Sequence, residues 1–430
     1  MEIEKIKAFR EKIRVPGDKS ISHRALLVAA QAPGLSCLCG LSDSEDVKAT
    51  RQCLRQVGIA IEDEAGTTCV LGKGLPHWHE PEAALSCENS GTTMRLLAGL
   101  LAGSAMRATL VGDASLSNRP MQRIVGPLTL MGGQIQAMTD KGRPPLMVTG
   151  GKLKGCDHRL PIASAQVKSA LLLAGLSATG VTRVWEKHPT RDHTERMLRA
   201  FGCNIDFSPG YAELQGGQTL RPFHFQTPGD ISGAAFFLVL AAVTPGAELV
   251  VENVGLNPTR TGVLDVLRAM GASLTCTVHR TEPEPVGSIH VSGGHLRGFR
   301  VGGADIPRLI DELPILAVAA ALATGRTEVR DAAELRVKES DRITALLTEL
   351  RQMGARCQEL PDGFTIEGGR LSGALVNSHG DHRLAMSLAV AGCSAEGITL
   401  LRGAECVAVS YRGFFTTLES LVKAGEARYA

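Results

Sequence analysis

Aromatic residues are scarce in this chain of 430 residues, which has only 11 Phe, 3 Tyr and 2 Trp. So few rings disfavour an extended surface for stacking nucleic-acid bases. Neither sign of charge is in large excess, because the chain has 46 Lys and Arg and 44 Asp and Glu, which gives a net charge of +2. No bulk charge therefore attracts nucleic acid or anionic lipid. Hydrophobic residues make up 44% of the chain, which excludes global disorder.

Several motifs are also missing. The 11 cysteines form no Cys-x-x-Cys pair, so a zinc ribbon or redox dithiol is not expected, and free thiols in a reducing cytoplasm are. Cys37 and Cys39 share one face of a predicted strand, where they are expected to pack in the core. The chain has neither a P-loop nor a Gly-x-Gly-x-x-Gly after a strand, which disfavours P-loop kinases and NAD(P) binding. The apolar stretch 231–246 is too short to span a bilayer and predicts a buried helix. The N-terminus shows no signal-peptide core.

Two patterns recur six times with a spacing of about 70 residues. Each is a helical run that closes on glycine, and one of the two runs is amphipathic while the other is almost wholly apolar. Such a glycine is typical of the left-handed position that ends a helix, so each repeat is predicted to hold two helices and several strands. The glycines are Gly58, Gly132, Gly202, Gly271, Gly354 and Gly425 for the amphipathic runs, and Gly34, Gly103, Gly180, Gly246, Gly325 and Gly397 for the apolar runs.

The apolar helices predict the domain organisation. A helix that is apolar on all sides must be buried on all sides, so three repeats packed around their apolar helices, twice over, predict two similar α/β lobes. Pro-Gly pairs at 16–17 and 228–229 are expected to mark the two crossings between them. One lobe is then residues 18–229, and the other is residues 1–17 with 230–430.

Lys and Arg cluster where seven helices are predicted to begin, although the positive end of a helix dipole prefers anions. A bound anion would explain why cations lie at these positive helix ends, because the backbone N–H groups and the Lys or Arg side chains then bind the same anion. Since the net charge is near zero, we expect a small ligand with two anionic groups, held between the lobes. The basic runs are 17–24, 89–95, 116–123, 189–196, 257–262, 336–342 and 379–383.

Carboxylates stand among these cations, and two interpretations remain open. Asp311 and Glu312 could simply cap the next helix, and Glu339 could be one half of a salt bridge. Alternatively, they are general acids or bases with a pKa tuned by burial and neighbouring charge. His379 and His382 could suggest a metal site but lack further ligands at a suitable spacing. The carboxylates are Asp18, Asp311, Glu312, Glu339, Asp341 and Asp381.

Nine segments, in order through nearly the whole chain, resemble the 5-enolpyruvylshikimate-3-phosphate synthase family of enolpyruvyl transferases. The resemblance implies two lobes of three βαβαββ repeats each, an inside-out α/β barrel. It implies transfer of the enolpyruvyl group of phosphoenolpyruvate to the 5-hydroxyl of shikimate 3-phosphate by addition–elimination, with no metal or organic cofactor. A cytoplasmic monomer acting on small molecules, without nucleic acid or membrane, is expected. The segments are 15–30, 88–99, 112–121, 161–176, 190–198, 256–262, 310–321, 335–343 and 379–387.

The resemblance also implies residue roles. Asp311 would accept the proton of the attacking hydroxyl, Glu339 would protonate the methylene carbon, and Lys19 would touch both substrates. Shikimate 3-phosphate would be bound, on the side of the 18–229 lobe, by Lys19, Ser20, Arg24, Ser164, Ala165, Gln166 and Arg191, together with Asp311 and Lys338. Phosphoenolpyruvate would be bound by Lys19, Asn89, Gly91, Arg119, Gln166, Arg342 and Arg383.

This sequence departs from the family pattern in places. Ala165 replaces a second Ser, Thr190 replaces a Tyr, and Arg191 beside it is expected to take over a phosphate contact. Val409 stands where many members carry a Lys that binds phosphoenolpyruvate, so that role is not carried over. Gly91 is small enough to leave room for the inhibitor glyphosate, which predicts sensitivity.

Three alternatives remain open. The sister enolpyruvyl transferases, which act on UDP-N-acetylglucosamine, open with a Lys-Asn pair and usually have a loop Cys, whereas this chain has Lys19-Ser20. An RNA cyclase of related architecture would need a nucleotidylated His and a basic track. A non-enzymatic anion-binding module would need the cations but neither Asp311 nor Glu339.

Overall fold

The computed structural model describes residues 1–427. They divide into two compact units, one of Gly17–Thr227 and one of Met1–Pro16 with the chain from Pro228 onward. We call them the 17–227 unit and the 228–427 unit. Two short strands, β1 (Glu2–Ile3) and β2 (Arg10–Arg14), precede the first crossing and belong to the 228–427 unit.

The 17–227 unit alternates helices with short strands. Its α-helices are α1 (Lys19–Gln31), α2 (Glu45–Gln56), α3 (Gly91–Ala102), α4 (Gln122–Leu130), α5 (Ala165–Gly175) and α6 (His193–Ala200). Its strands are β3 (Gly34–Cys39), β4 (Ala60–Glu64), β5 (Thr67–Gly72), β6 (Leu85–Ser86), β7 (Arg107–Val111), β8 (Gln134–Ala137), β9 (Leu146–Thr149), β10 (Asp157–Leu160), β11 (Val181–Glu186), β12 (Ile205–Ser208), β13 (Tyr211–Gln215) and β14 (His224–Gln226).

The 228–427 unit repeats this alternation. Its α-helices are α7 (Ile231–Val243), α8 (Gly262–Ala269), α9 (Ile306–Leu309), α10 (Leu313–Leu322), α11 (Arg342–Gln352), α12 (His382–Ser394) and α13 (Phe414–Ala427). Its further strands are β15 (Glu248–Gly255), β16 (Ser273–Arg280), β17 (Val286–Ser292), β18 (Arg300–Val301), β19 (Arg326–Val329), β20 (Arg356–Leu360), β21 (Gly363–Glu367), β22 (Leu375–Asn377) and β23 (Thr399–Arg402).

One sheet pattern recurs in both units. A strand lies parallel to its neighbour, which pairs antiparallel with the second strand of a hairpin. The orders are β14-β3-β5-β4, β6-β7-β9-β8 and β10-β11-β13-β12 in the 17–227 unit, and β2-β15-β17-β16, β18-β19-β21-β20 and β22-β23-β1 in the 228–427 unit. The last sheet takes its third strand from the N-terminus, antiparallel to β23. The mixed α/β architecture of repeated elements is therefore confirmed.

The six apolar runs form the buried helices α1, α3, α5, α7, α10 and α12, as predicted. Every residue of α7 from Ile231 to Ala242 is buried. Helices α3 and α5 pack closely because Gly99 has no side chain, and a Cβ there would lie 2.3 Å from the carbonyl oxygen of Ala170. Within the described chain, no helix is both long and apolar enough to cross a membrane.

Ten of the twelve repeat glycines have a positive φ. The five glycines Gly58, Gly132, Gly202, Gly271 and Gly354 each come two residues after the last helical residue, which confirms their predicted left-handed role at a helix end. The prediction is wrong for the apolar runs, because Gly180, Gly246, Gly325 and Gly397 lie three to five residues beyond their helices and Gly34 begins β3. Gly103 has no positive φ, since its φ is −92°. It is a glycine for another reason, because a Cβ there would lie 1.9 Å from Ser177 Oγ. Gly425 was also wrongly predicted to end a helix, because it lies inside α13.

Candidate active site

All seven basic runs lie at the starts of helices, as predicted. Three of these helices are capped by an aspartate, which accepts a hydrogen bond from a backbone N–H in the first turn. Asp18 accepts from Ile21 N at 2.9 Å, Asp341 from Thr344 N at 3.1 Å and Asp381 from Arg383 N at 2.9 Å. Each carboxylate also complements the positive end of the helix dipole beside the cations that follow it.

The first turn of α1 carries two of the predicted binding cations. Lys19 Nζ lies 2.8 Å from Asp46 Oδ2, in a largely buried ion pair. Arg24 is buried one turn later, where Nε donates to Thr194 Oγ1 at 2.8 Å and Nη2 to Ser169 Oγ at 2.7 Å. Arg24 therefore ties α1 to α5 and α6, and its position is set by three helices.

The starts of α3 and α5 meet through Gln166. Its Nε2 donates to Thr92 Oγ1 at 2.9 Å, and its Oε1 accepts from Arg95 Nη1 at 2.6 Å. Ser164 is the N-cap of α5 and accepts from Val167 N at 3.4 Å, which leaves Ala165 as the first helical residue.

Arg119 lies against the start of α3, beside Asn89 and Gly91. Asn89 Oδ1 accepts from Arg119 Nη2 at 2.7 Å, and Asn89 Nδ2 donates to Asp113. A Cβ on Gly91 would lie 2.7 Å from Arg95 Nη1 and 3.4 Å from Arg119 Nη1. Glycine at this position therefore gives both guanidinium groups the space they occupy.

A buried ion triad supports the segment that carries Arg191. Lys168 Nζ lies 2.8 Å from Glu186 Oε2 and 2.8 Å from Glu195 Oε1. Glu186 also accepts from the backbone N–H and the hydroxyl of Thr190, the residue before Arg191. Arg191 Nη1 in turn donates to Ser20 Oγ at 3.4 Å. In the 17–227 unit, the predicted residues from Lys19 to Arg191 thus lie at or beside helix starts, where several separate groups of polar contacts hold their side chains.

The 228–427 unit gathers carboxylates around Arg342, the first residue of α11, whose side chain is 1% exposed. Its Nε lies 2.8 Å from Asp381 Oδ2, Nη2 lies 2.6 Å from Glu339 Oε2, and Nη1 lies 3.6 Å from Asp311 Oδ1. Within the described chain, Nη1 makes no hydrogen bond. This donor is buried and points towards Asp311.

Asp311 lies among three cations. Besides Arg342, Arg383 Nη2 lies 3.6 Å away and Lys338 Nζ lies 3.9 Å away. Arg383 Nη1 also donates to the carbonyl oxygen of Asp311 at 3.1 Å. The five predicted residues of this unit therefore form one cluster of alternating charge.

Burial and charge shift pKa values in this cluster. Desolvation lowers the pKa of Lys338 below its usual value, although Asp311 opposes the shift. Desolvation favours the neutral form of Asp381, but Arg342 outweighs it and lowers the pKa of that carboxyl. Neighbouring carboxylates, chiefly Asp381 and Glu339, overcome desolvation and raise the pKa of Arg342. Arg342 is therefore a permanent cation, whereas Lys338 loses its proton more easily than an ordinary lysine.

The structure shows what these carboxylates and His379 contact. Glu312 occupies the N-cap position of α10 without a capping hydrogen bond, and accepts from Ser232 Oγ instead. Glu339 does form a salt bridge with Arg342, but that guanidinium is shared with Asp381. His379 Nε2 lies 2.7 Å from Glu349 Oε1. Among residues 1–427, no group of three or more ligand-type side chains could hold a metal ion.

Sequence reasoning gave no role to several partners of the predicted residues. Asp46 pairs with Lys19, Arg95 with Gln166, and Lys168 supports the Thr190 segment. Lys168 had a visible signal, because it is the one charge within the apolar run of α5. A lone charge in a fully buried helix requires buried partners. Arg95 had the same signal, because it is the one charge of α3 and the one cation of the basic run 89–95. Asp46 had no such signal, since its partner Lys19 is far away in sequence.

Together these groups define a protein for small anionic ligands that also carries acid–base groups. Helix starts with Ser, Asn and Arg are suited to binding anions, and Asp311 and Glu339 lie among cations, an environment that tunes the pKa of a carboxyl group.

Comparison with known proteins gives the family. A family model described as EPSP synthase (3-phosphoshikimate 1-carboxyvinyltransferase) matches residues 3–418. The 3-phosphoshikimate 1-carboxyvinyltransferase of Geobacter sp. (strain M21) is 48% identical, covering 98% of this chain and 99% of that protein. The enzyme of that name from Xanthomonas axonopodis pv. citri (strain 306) is 50% identical over 96% of this chain and 94% of its own length. A 2.37 Å structure of EPSP synthase from Acinetobacter baumannii is 46% identical, with a TM-score of 0.86 over 97% of both chains.

The chain therefore belongs to the EPSP synthase family. It is a transferase of the enolpyruvyl (carboxyvinyl) class, and the resemblance stated from the sequence is confirmed.

Proposed function

We propose that this protein transfers the enolpyruvyl group of phosphoenolpyruvate to the 5-hydroxyl of shikimate 3-phosphate and releases phosphate, in the shikimate pathway of aromatic amino-acid biosynthesis. The observation that carries this function is the cluster around Arg342, where Asp311 and Glu339 lie among Lys338, Arg342 and Arg383. Addition–elimination needs a base for the hydroxyl, an acid for the methylene carbon and cations for the phosphate that leaves. All three kinds of group are present.

Asp311 is the proposed base. Three cations within 4 Å favour its ionised form, which is the form that accepts a proton from the 5-hydroxyl. Lys338 binds the same substrate and holds the hydroxyl beside the carboxylate.

Glu339 is the proposed acid. It delivers a proton to the methylene carbon, which makes the adjacent carbon electrophilic, and it takes a proton back during elimination. The negative charges of bound phosphoenolpyruvate favour the protonated form of Glu339, against the effect of Arg342.

Arg342 and Arg383 bind phosphoenolpyruvate in this proposal. Nη1 of Arg342 is buried without a hydrogen bond inside residues 1–427, so it gains one when an anionic oxygen arrives. Asp381 holds Arg342 through two of its nitrogens and fixes the direction of that donor.

The 17–227 unit supplies the remaining binding groups. Lys19 touches both substrates, and Gln166 reaches both from the start of α5. Shikimate 3-phosphate is bound by Ser20, Arg24, Ser164, Ala165 and Arg191, and phosphoenolpyruvate by Asn89, Gly91 and Arg119. We assign Arg191 to the phosphate of shikimate 3-phosphate. The residue before it is Thr190, which lacks the phenol group of the Tyr that many other members carry at that position. The protein acts on these small molecules as a monomer in the cytoplasm.

The test is phosphate release by the pure protein with phosphoenolpyruvate and shikimate 3-phosphate, together and singly. We expect release only with both. Glu339→Gln should lower kcat by about 10²–10⁴-fold, as loss of a general acid does, while both substrates still bind. Glu367→Gln, an exposed glutamate of the same unit, is the matched control and should keep full turnover. Turnover with UDP-N-acetylglucosamine in place of shikimate 3-phosphate would contradict the proposal.

A further inference from the structure

Three cysteines lie on the outer face of the sheet β14-β3-β5-β4. Side chains alternate along β3, so Leu38 is fully buried while Leu35 is 58% exposed. Cys37 and Cys39 share the face of Leu35, and both are half-buried. The expectation that they pack in the core is therefore wrong. They share a face as predicted, but it is the outer face.

Cys37 lies directly opposite Cys69 of the antiparallel strand β5. The N–H of Cys37 donates to Phe223 O at 3.2 Å, on the β14 side of the strand, and Cys39 O accepts from Thr227 N on that same side. Since the backbone groups of residues 37 and 39 point away from β5, Cys37 and Cys69 form a non-hydrogen-bonded pair. Opposite Cα atoms in such pairs are about 4.5 Å apart. Disulfides span Cα separations of about 4.4–6.8 Å.

Side chains are in contact across the neighbouring non-hydrogen-bonded pair of the two strands, Cys39 and Thr67. Cys39 Sγ lies 3.4 Å from Thr67 Oγ1, its opposite residue on β5. The Cys37 thiol also acts on its opposite residue: desolvation, followed by the nearby Cys37 thiol, raises the pKa of Cys69.

We propose that Cys37 and Cys69 are an oxidation site that forms a reversible disulfide by exchange with a small disulfide such as oxidised glutathione. One thiolate attacks a glutathione sulfur, forms a mixed disulfide and releases one reduced glutathione. The second thiolate then attacks the protein-bound sulfur, closes the Cys37–Cys69 bond and releases the second glutathione. Each glutathione leaves as a thiolate and takes up a proton, so the two thiol protons of the protein pass through solvent to the two glutathione molecules, and the two electrons reduce the glutathione disulfide.

The bond forms without rearrangement, because β3 and β5 are already paired in this register. Transferase activity should therefore be kept in the oxidised protein. The bond closes the chain between residues 37 and 69 into a loop, which restricts the unfolded state and should raise Tm. Because the exchange needs thiolate and the pKa of Cys69 is raised, oxidation should accelerate with rising pH.

A second pair provides the contrast. Cys53 and Cys87 are both fully buried, and the neighbouring Cys53 thiol, together with burial, raises the pKa of Cys87 well above its usual value. Oxidised glutathione does not reach them in the folded protein, so this pair should stay reduced.

The test treats the folded protein with oxidised glutathione, blocks the remaining thiols with an alkylating reagent in denaturant, and maps the peptides by mass. We expect nine of the eleven cysteines to be alkylated and one cross-linked peptide pair that contains Cys37 and Cys69. Cys69→Ser should instead leave a glutathione adduct on Cys37, and Cys53→Ser should behave as the parent protein. Complete alkylation, or a cross-link through other cysteines, would overturn the proposal. The readout does not depend on transferase activity.

Discussion

Lys168→Met tests the buried ion triad of the 17–227 unit. The side chains of Lys168, Glu186 and Glu195 are at most 3% exposed, and one ammonium group lies 2.8 Å from both carboxylates. Methionine fills similar space without charge, so the substitution removes the cation and leaves two carboxylates buried near each other. The Thr190 segment also loses the contact of its carbonyl oxygen with Lys168 Nζ, at 3.5 Å.

Removing one partner of a buried ion pair costs about 3–5 kcal/mol, because the remaining charge is uncompensated. In a domain of about 200 residues, 1 kcal/mol corresponds to about 2–4 °C in Tm. We therefore expect Tm of the 17–227 unit to fall by about 6–20 °C at neutral pH. If Arg191 binds shikimate 3-phosphate, KM for that substrate should rise more than kcat falls.

The loss should depend on pH. Burial raises the pKa of Glu195 above 4.5 even though Lys168 opposes the shift, and removal of Lys168 raises it further. A carboxyl with a raised pKa binds more protons in the folded than in the unfolded protein, so its contribution to stability is lost as pH rises through the folded pKa. The loss of stability caused by Lys168→Met should therefore be smaller at pH 5 than at pH 8.

Thermal and urea unfolding at both pH values measure these effects. Lys48→Met, in the exposed pair with Glu45 of the same unit, is the matched control and should cost less than about 1 kcal/mol. A Lys168→Met protein as stable as the Lys48→Met protein, or one with a defect that grows on acidification, would refute the reasoning.

Three further predictions concern the reaction. Gly91→Ala should displace the guanidinium of Arg95, 2.7 Å from the new Cβ, and so raise KM for phosphoenolpyruvate and weaken glyphosate inhibition in steady-state assays; unchanged inhibition would contradict the steric argument. Asp381→Asn should reduce kcat/KM roughly tenfold to a hundredfold, because the charge-assisted hydrogen bonds that hold Arg342 contribute about 1.5–3 kcal/mol. An unchanged kcat/KM would show that Asp381 does not position Arg342. Desolvation lowers the pKa of Lys338, so activity should decline with rising pH below the usual 10.5, and Lys338→Arg should move that decline to higher pH.

Local features could be predicted from the sequence because they depend on nearby residues. The all-apolar run of α7 must be buried, whatever surrounds it. Basic segments such as 336–342 were recognisable as helix starts through their Asp and Ser residues. The family resemblance had the same local origin, since short motifs such as that around Lys19 hold their chemistry within one helix turn.

Failures of sequence reasoning have a physical cause in long-range contacts. Gly103 was predicted to be left-handed by its place after a helix, but its need for glycine comes from Ser177, far along the chain. Because side chains alternate along a strand, the sequence predicted that Cys37 and Cys39 share one face, but alternation alone does not tell which face is buried. Only the packing of α1 against β3 and β5, on the side of Leu38 and Val70, made the opposite face the outer one.

The sequence by itself determined the repeats, the buried helices, the basic helix starts and the family. Tertiary structure alone decided which charges meet, as in Lys168 between Glu186 and Glu195, or Arg342 among Asp311, Glu339 and Asp381. The reason is that hydrophobic periodicity is a property of a few turns of chain, whereas a buried ion pair joins residues that only the packing of several elements brings within 4 Å.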